Sequence, residues 1–103
     1  MKRVYIAGPM TGLPALNFPA FHAEAARLRA LGYEVANPAE INPEPGMAWA
    51  ECMFRDLREL TECDGIAMLP GWEASPGACI ERLWSIRTGK KVLAAGEIVE
   101  VLA

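Results

Sequence analysis

Short apolar segments alternate with longer amphipathic segments along the chain. Residues 3–8, RVYIAG, are rich in β-forming side chains and end in glycine, which is typical of a buried strand. Three similar segments follow, namely YEVANP, DGIAML and KKVLAA. Between these segments the patterning predicts helices over residues 18–31, 47–62 and 75–89. The tail, residues 96–103, is compatible with a short helix or an edge strand.

Capping residues and apolar stripes indicate where the helices begin and which faces they bury. Asn17 is expected to cap the first helix, which would bury one face formed by Phe18, Phe21, Ala25 and Leu28. The second helix carries a stripe of Trp49, Met53 and Leu60, which is more often a core stripe than a binding surface. Residues 39–46, AEINPEPG, are predicted to form a loop.

The order β-α-β-α-β-α-β favours a three-layer α/β fold with a parallel sheet and helices on both faces. We expect one doubly wound domain over residues 1–103, flavodoxin-like or Rossmann-like, with four to five strands in the order 2-1-3-4. In such a sheet, ligands bind outside the carboxyl ends of the strands where the chain reverses direction. Two loops meet there, GPMTG at residues 8–12 and PGWEASPG at residues 70–77.

These loops contain the candidate binding residues. Gly8, Gly12 and Gly77 permit close approach of a ligand to the backbone, although tight turns alone would explain each of them. Ser75 is a natural helix cap whose hydroxyl could also face a phosphate. Trp72 is either a core residue or a platform for a nucleobase.

Two carboxylates and one hydroxyl are candidates for chemistry. Glu81 follows the glycine-rich turn among Cys79, Ile80 and Leu83, which indicates partial burial. A catalytic role and a surface pair with a helix arginine are equally compatible with the pattern around Glu81. Asp56 borders the stripe of the second helix, where a surface pair with an adjacent arginine is the simpler explanation. Tyr5 is predicted to be a core tyrosine with a satisfied hydroxyl.

Composition narrows the function classes. A net charge of −3 gives no general attraction to nucleic acid or to an anionic membrane, and no apolar run reaches membrane-spanning length. Three cysteines without CxxC spacing indicate reduced thiols in a cytoplasm. The single histidine argues against a histidine-rich metal site.

Three segments in order, VYIAGPMTG, RDLRELTECDGIAMLPGWEASPGACIE and RTGKKVL, resemble the nucleoside 2-deoxyribosyltransferase-like group. Within it the chain is most similar to a small, largely uncharacterised family frequent in phages and prophages. It is also similar to deoxynucleoside 5′-monophosphate N-glycosidases, which have an arginine where this chain has Thr11.

The resemblance implies a role for each matching position. Glu81 would be the nucleophile at the anomeric carbon, Asp56 would contact the sugar and assist proton transfer, and Tyr5 would orient Glu81. Ser75 would lie near a 5′-phosphate. The loop that surrounds the substrate would comprise Gly8, Pro9, Met10, Thr11 and Gly12.

The predicted activity is cleavage or exchange of the N-glycosidic bond of a deoxynucleoside or its 5′-monophosphate. The chemistry would proceed through a glycosyl-glutamate ester without a metal or redox cofactor. For this, Tyr5 and the helix N-terminus would have to outweigh burial and keep Glu81 ionised. The resemblance also implies a homodimer or larger homo-oligomer. The alternative is a non-catalytic module of the same fold that binds a nucleotide or a partner protein.

Overall fold

The computed structural model describes residues 1–44 and 46–101. Its four strands are β1 (Arg3–Ala7), β2 (Glu34–Ala36), β3 (Gly65–Met68) and β4 (Lys91–Ala94). Each neighbouring pair is parallel, and the order across the sheet is β2-β1-β3-β4. The predicted parallel sheet with strand order 2-1-3-4 is therefore confirmed.

The helices are α1 (Phe18–Ala30), α2 (Pro38–Ile41), α3 (Trp49–Thr61) and α4 (Pro76–Arg87). A turn with left-handed backbone spans Pro14–Asn17, and single 3-10 turns lie at Trp72–Ala74 and Ala95–Glu97. The last of these begins the tail, whose final two residues lie outside the described part of the chain. None of the helices that the structure describes is long and apolar enough to cross a membrane.

Helix α2 corrects the prediction of a plain loop over residues 39–46. Asn37 caps this helix, because its Oδ1 accepts a hydrogen bond from the backbone N–H of Ala39 at 3.0 Å. Pro38 occupies the first helical position, where its missing N–H costs nothing. The start signal was therefore present in the sequence, but the turn is too short to show helical periodicity.

The two faces of the sheet are covered by different helices. On one face, Phe21, Ala25 and Leu28 of α1 pack on Val4 and Ile6 of β1. On the other face, Leu60 of α3 and Ala78 of α4 pack with alternate strand residues, including Tyr5, Ala7 and Ile66. Side chains on a strand alternate between faces, so β1 contributes to both layers. The result is the predicted three-layer α/β architecture.

The segment before α1 differs from the expected cap. Asn17 has φ 59°, in the left-handed region, and its side chain makes no capping hydrogen bond. A capping residue needs extended backbone, so the prediction of an Asn17 cap is wrong. Its Nδ2 instead donates to the carbonyl oxygen of Pro9 at 3.0 Å. Ala15 and Leu16 are also left-handed, both with φ 52°.

Candidate active site

A cleft of about 250 Å³ lies where the loop after β1 meets α3 and the start of α4. This is the carboxyl end of the sheet, where the strand order reverses. Seven of the sequence-predicted site residues line it: Gly8, Met10, Thr11, Asp56, Ser75, Gly77 and Glu81. Residues from three distant parts of the chain therefore face one volume.

Glu81 lies on the inner face of α4 and is only 5% exposed. Its neighbours on that face, Ala78 and Ser85, are small, which leaves room for the carboxylate against the sheet. The hydroxyl of Tyr5, itself fully buried in β1, donates to Glu81 Oε2 at 2.5 Å. The alternative of a solvated glutamate paired with a helix arginine is wrong.

Asp56 lies on the inner face of α3 and is 7% exposed. Its Oδ1 accepts a hydrogen bond from Asn42 Nδ2 at 2.8 Å. The alternative of a surface ion pair for Asp56 is therefore wrong. Arg55 pairs with Glu51 instead, with 3.6 Å between Arg55 Nε and Glu51 Oε1. No sequence signal singled out Asn42, which lies in the segment predicted to be a loop.

Burial dominates the electrostatics of the two carboxyl groups. It raises the pKa of Glu81 to about 8, assisted by the negative charge of Asp56 and opposed by the hydrogen bond from Tyr5. It raises the pKa of Asp56 to about 6, opposed by the hydrogen bond from Asn42 and by the nearby hydroxyl of Tyr5. Burial and Glu81 also raise the pKa of Tyr5 well above its usual range, so Tyr5 remains a donor. At Glu81 burial outweighs the hydrogen bond from Tyr5, so the ionised form that the implied reaction requires is the minor one at neutral pH.

The loop after β1 forms one wall of the cleft. A Cβ on Gly8 would lie 2.8 Å from the Cβ of Leu69, so this close approach requires glycine. Met10 and Thr11 line the cleft beside Gly8. Pro9 and Gly12 belong to the same loop but do not line the cleft, and Gly12 provides a left-handed turn with φ 84°.

The start of α4 forms the facing wall. Ser75 is its N-cap, and its Oγ accepts from the backbone N–H of Ala78 at 3.2 Å. A Cβ on Gly77 would lie 3.3 Å from the sulfur of Met53, so α3 and α4 approach closely here. The capping role of Ser75 is thus confirmed, whereas its contact with a phosphate stays a prediction.

Trp72 lies outside the lining of the cleft. Its ring packs against the buried residues between the sheet and α4, and the guanidinium of Arg82 lies 5.0 Å from the ring centroid. The proposed stacking of Trp72 on a base stays a prediction without a contact to support it.

Sequence reasoning missed most of the apolar wall of the cleft. Trp49 and Met53 precede Asp56 on the same stripe of α3 and were expected in the core. Trp49 is 53% exposed and lines the cleft, so the first half of the stripe is a cleft wall. The periodicity contained the signal, but it cannot separate a cleft wall from a core. The lining residues that were not predicted are Leu16, Phe21, Pro38, Met47, Trp49, Cys52, Met53 and Ala78.

Solved structures with a similar fold include two described as enzymes. A CMP N-glycosidase from Clostridium botulinum, BcmB, is 28% identical with a TM-score of 0.62, over 89% of this chain and 67% of that one. A 2-desoxiribosyltransferase from Leishmania mexicana is 18% identical with a TM-score of 0.71, over 91% and 63%. BlsM is 24% identical with a TM-score of 0.67, over 86% and 61%. The chain thus spans about two thirds of each of these proteins.

These likenesses confirm that the chain has a nucleoside deoxyribosyltransferase-like fold. No curated protein matches the chain. A family model described as "Domain of unknown function (DUF4406)" matches residues 2–94, nearly the whole sequence. The chain therefore belongs to the DUF4406 family.

Proposed function

We propose that this protein cleaves or exchanges the N-glycosidic bond of a deoxynucleoside or deoxynucleoside 5′-monophosphate, with Glu81 as a covalent nucleophile. One observation carries the proposal. A buried carboxyl group, that of Glu81, accepts a hydrogen bond from Tyr5 and lines a cleft that also presents a second buried carboxyl group, that of Asp56. The similarity to an N-glycosidase and a deoxyribosyltransferase supports the same class of reaction.

Paired carboxyl groups suit this reaction because its transition state is cationic at the anomeric carbon. In the first step an oxygen of ionised Glu81 attacks that carbon. The C–N bond breaks, and its electron pair leaves with the nucleobase, which receives a proton from Asp56. In the second step water or a second nucleobase gives a proton to the now ionised Asp56 and attacks the same carbon, and the ester bond breaks with its electron pair returning to Glu81. Two displacements retain the configuration of the sugar.

The cleft offers surfaces for each part of such a substrate. Trp49 and Met53 form an apolar wall suited to a flat base. The loop at residues 8–12 would surround the sugar, as the resemblance implies. Ser75 and the start of α4 would lie near a 5′-phosphate, where the N-terminus of a twelve-residue helix favours negative charge.

We further propose that the protein forms a homodimer or larger homo-oligomer. Helix α4 has the reverse of the usual amphipathic pattern. Its inner face carries small or polar residues, whereas its outer face exposes large apolar ones. The exposed side chains are Ile80, Leu83, Trp84 and Ile86. A second copy of the chain covering this face would remove them from water. Sedimentation at assay concentration tests this, and an active monomer contradicts it.

The decisive experiment for the reaction is release of free base. Purified protein is incubated with a panel of deoxynucleosides and their 5′-monophosphates, and the products are separated by chromatography. Wild-type protein should release base from at least one substrate, whereas Glu81→Gln should lose turnover by several orders of magnitude and still bind. Glu73→Gln is the matched control, because Glu73 is an exposed glutamate in the adjacent turn and outside the cleft.

The covalent step has its own assay. A 2′-fluoro-arabino nucleoside should leave a sugar adduct on the peptide that contains Glu81, detected by mass spectrometry. An adduct on Asp56 or Glu73 would contradict the assignment of the nucleophile. Binding of nucleotides without base release from any member of the panel would favour a non-catalytic binding module.

A further inference from the structure

We propose that Asn42 is a positioning residue that holds Asp56 in both of the protonation states through which Asp56 passes during turnover. The inference rests on the proposed function, in which Asp56 gives a proton to the departing base. Asn42 does not line the cleft, so it would act through Asp56 alone.

Both the backbone and the side chain of Asn42 are held by hydrogen bonds. It follows the last residue of α2, and its backbone N–H donates to the carbonyl oxygen of Pro38 at 2.9 Å. Its Nδ2 donates to Asp56 Oδ1 at 2.8 Å. Asn42 and Asp56 are both more than nine-tenths buried, at 8% and 7% exposure, so bulk water does not compete for this bond.

The oxygen of the Asn42 amide has no hydrogen-bond partner among the described residues. Within the described part of the chain, Asn42 Oδ1 is buried and makes no hydrogen bond. A buried acceptor without a partner is costly, so its presence requires an explanation. Rotation of the amide by half a turn exchanges Nδ2 and Oδ1 and sacrifices no other hydrogen bond. The rotated amide offers Oδ1 to a protonated Asp56.

An acid that gives up its proton changes from a hydrogen-bond donor to an acceptor. A lysine beside Asp56 would hold only the carboxylate, whereas an amide holds either form. Other ionisable groups that face Asp56 are Tyr5 on β1, Glu81 on α4 and Cys52 on α3. Because the hydroxyl of Tyr5 donates its one proton to Glu81, Asn42 is the side chain that donates to Asp56.

The test compares Asn42→Ala and Asn42→Asp with Asn37→Ala. Asn37 is a matched control, since it is a buried asparagine at the opposite end of α2 that caps the helix. The carboxyl carbon of Asp56 is titrated by ¹³C NMR in each folded variant. Asn42→Ala should move this titration upward by about one pH unit, because the carboxylate loses a donor. Asn42→Asp keeps the shape and replaces the donor with a carboxyl group, so it should move the titration further. Asn37→Ala should lower stability and leave the titration in place.

Kinetics supply the second readout. Asn42→Ala should lower kcat about tenfold with little change in KM, and should have no further effect in the Asp56→Asn background. An unchanged Asp56 titration in both Asn42 variants would overturn the proposal. So would an equal loss of kcat in the Asp56→Asn background. If the wild-type protein releases no base, the proposed function fails, while the titration still decides whether Asn42 holds Asp56.

Discussion

Replacement of Glu81 by glutamine should abolish turnover and make the protein more stable, by an amount that increases with pH. The cause is the cost of a charge at a position that is 5% exposed. Glutamine has the same shape, can accept the hydrogen bond from Tyr5, and has no proton to lose. Active-site groups often reduce stability in this way, because function requires an unfavourable charge.

The direction of this dependence on pH follows from the pKa of Glu81, which is ordinarily 4.5 and is raised to about 8 in the folded protein. The folded state therefore retains the proton where the unfolded state has lost it. Through Glu81, the wild-type protein has its full stability below pH 4.5 and loses stability as the pH rises to about 8, above which this contribution changes no further.

The shift in the pKa of Glu81 sets the size of this change in stability. At 1.36 kcal/mol per pH unit, the free energy of unfolding of wild type falls by about 4 kcal/mol between pH 5 and pH 9 through Glu81 alone. Domains of this size have a total stability of about 5–15 kcal/mol, so the effect is easily measured. The Glu81→Gln protein has no titratable group at this position, so its free energy of unfolding should not fall in this way.

Urea denaturation at pH 5, 7 and 9 is the assay, with Glu73→Gln as the surface control. The difference between Glu81→Gln and wild type should widen by about 4 kcal/mol from pH 5 to pH 9. For Glu73→Gln no such widening is expected, because Glu73 is exposed. A constant difference for Glu81→Gln would refute the conclusion that burial governs this carboxyl group.

Three further predictions concern the same region. In the proposed mechanism, attack needs ionised Glu81 and proton donation needs protonated Asp56, so the profile of kcat/KM against pH should be bell-shaped with limbs near 6 and 8. A profile without one limb contradicts these roles. Tyr5→Phe should raise the pKa of Glu81 further by removing a donor to its carboxylate, and should lower kcat/KM at pH 7 about tenfold or more, measured by base release. Gly8→Ala should lower the free energy of unfolding, measured in urea, by about 1–3 kcal/mol, because the added Cβ would crowd Leu69. The control Gly96→Ala places its Cβ in open space and should change stability little, so equal effects would argue against crowding.

The sheet could be predicted because each strand is short, apolar and separated from the next by an amphipathic helix. Parallel pairing then follows from the connections, and the strand order 2-1-3-4 is one of few that such a chain can adopt. Short elements such as α2 could not be predicted in the same way. Helix periodicity needs several turns to be visible, and Pro38–Ile41 forms only one.

The burial of Glu81 was predicted for the wrong reason. Its sequence neighbours Ile80 and Leu83 indicated an apolar environment, but they lie on the outer face of α4 at 42% and 55% exposure. Glu81 is buried because small residues three positions before it and four after it, Ala78 and Ser85, let α4 lie close to the sheet. Helical neighbours at those spacings determine what a side chain meets.

The partner of Asp56 could not be predicted at all. Asn42 is fourteen positions away in sequence and contacts Asp56 only because α2 ends beside α3. A contact of that kind depends on how loops and helices pack in three dimensions. Hydrophobic periodicity carries no information about it.

The three consecutive left-handed residues at positions 15–17 restrict which side chains can stand at Leu16, the one of the three that lines the cleft. Left-handed backbone is costly for β-branched side chains, tolerable for asparagine and aspartate, and free of strain for glycine. At Leu16, which lines the cleft, valine or isoleucine would thus be excluded by the backbone even where the cleft could accommodate the side chain. At Leu16 the chain can therefore vary only among residues that left-handed backbone permits, whereas Met10 and Thr11, which line the same wall, carry no such restriction.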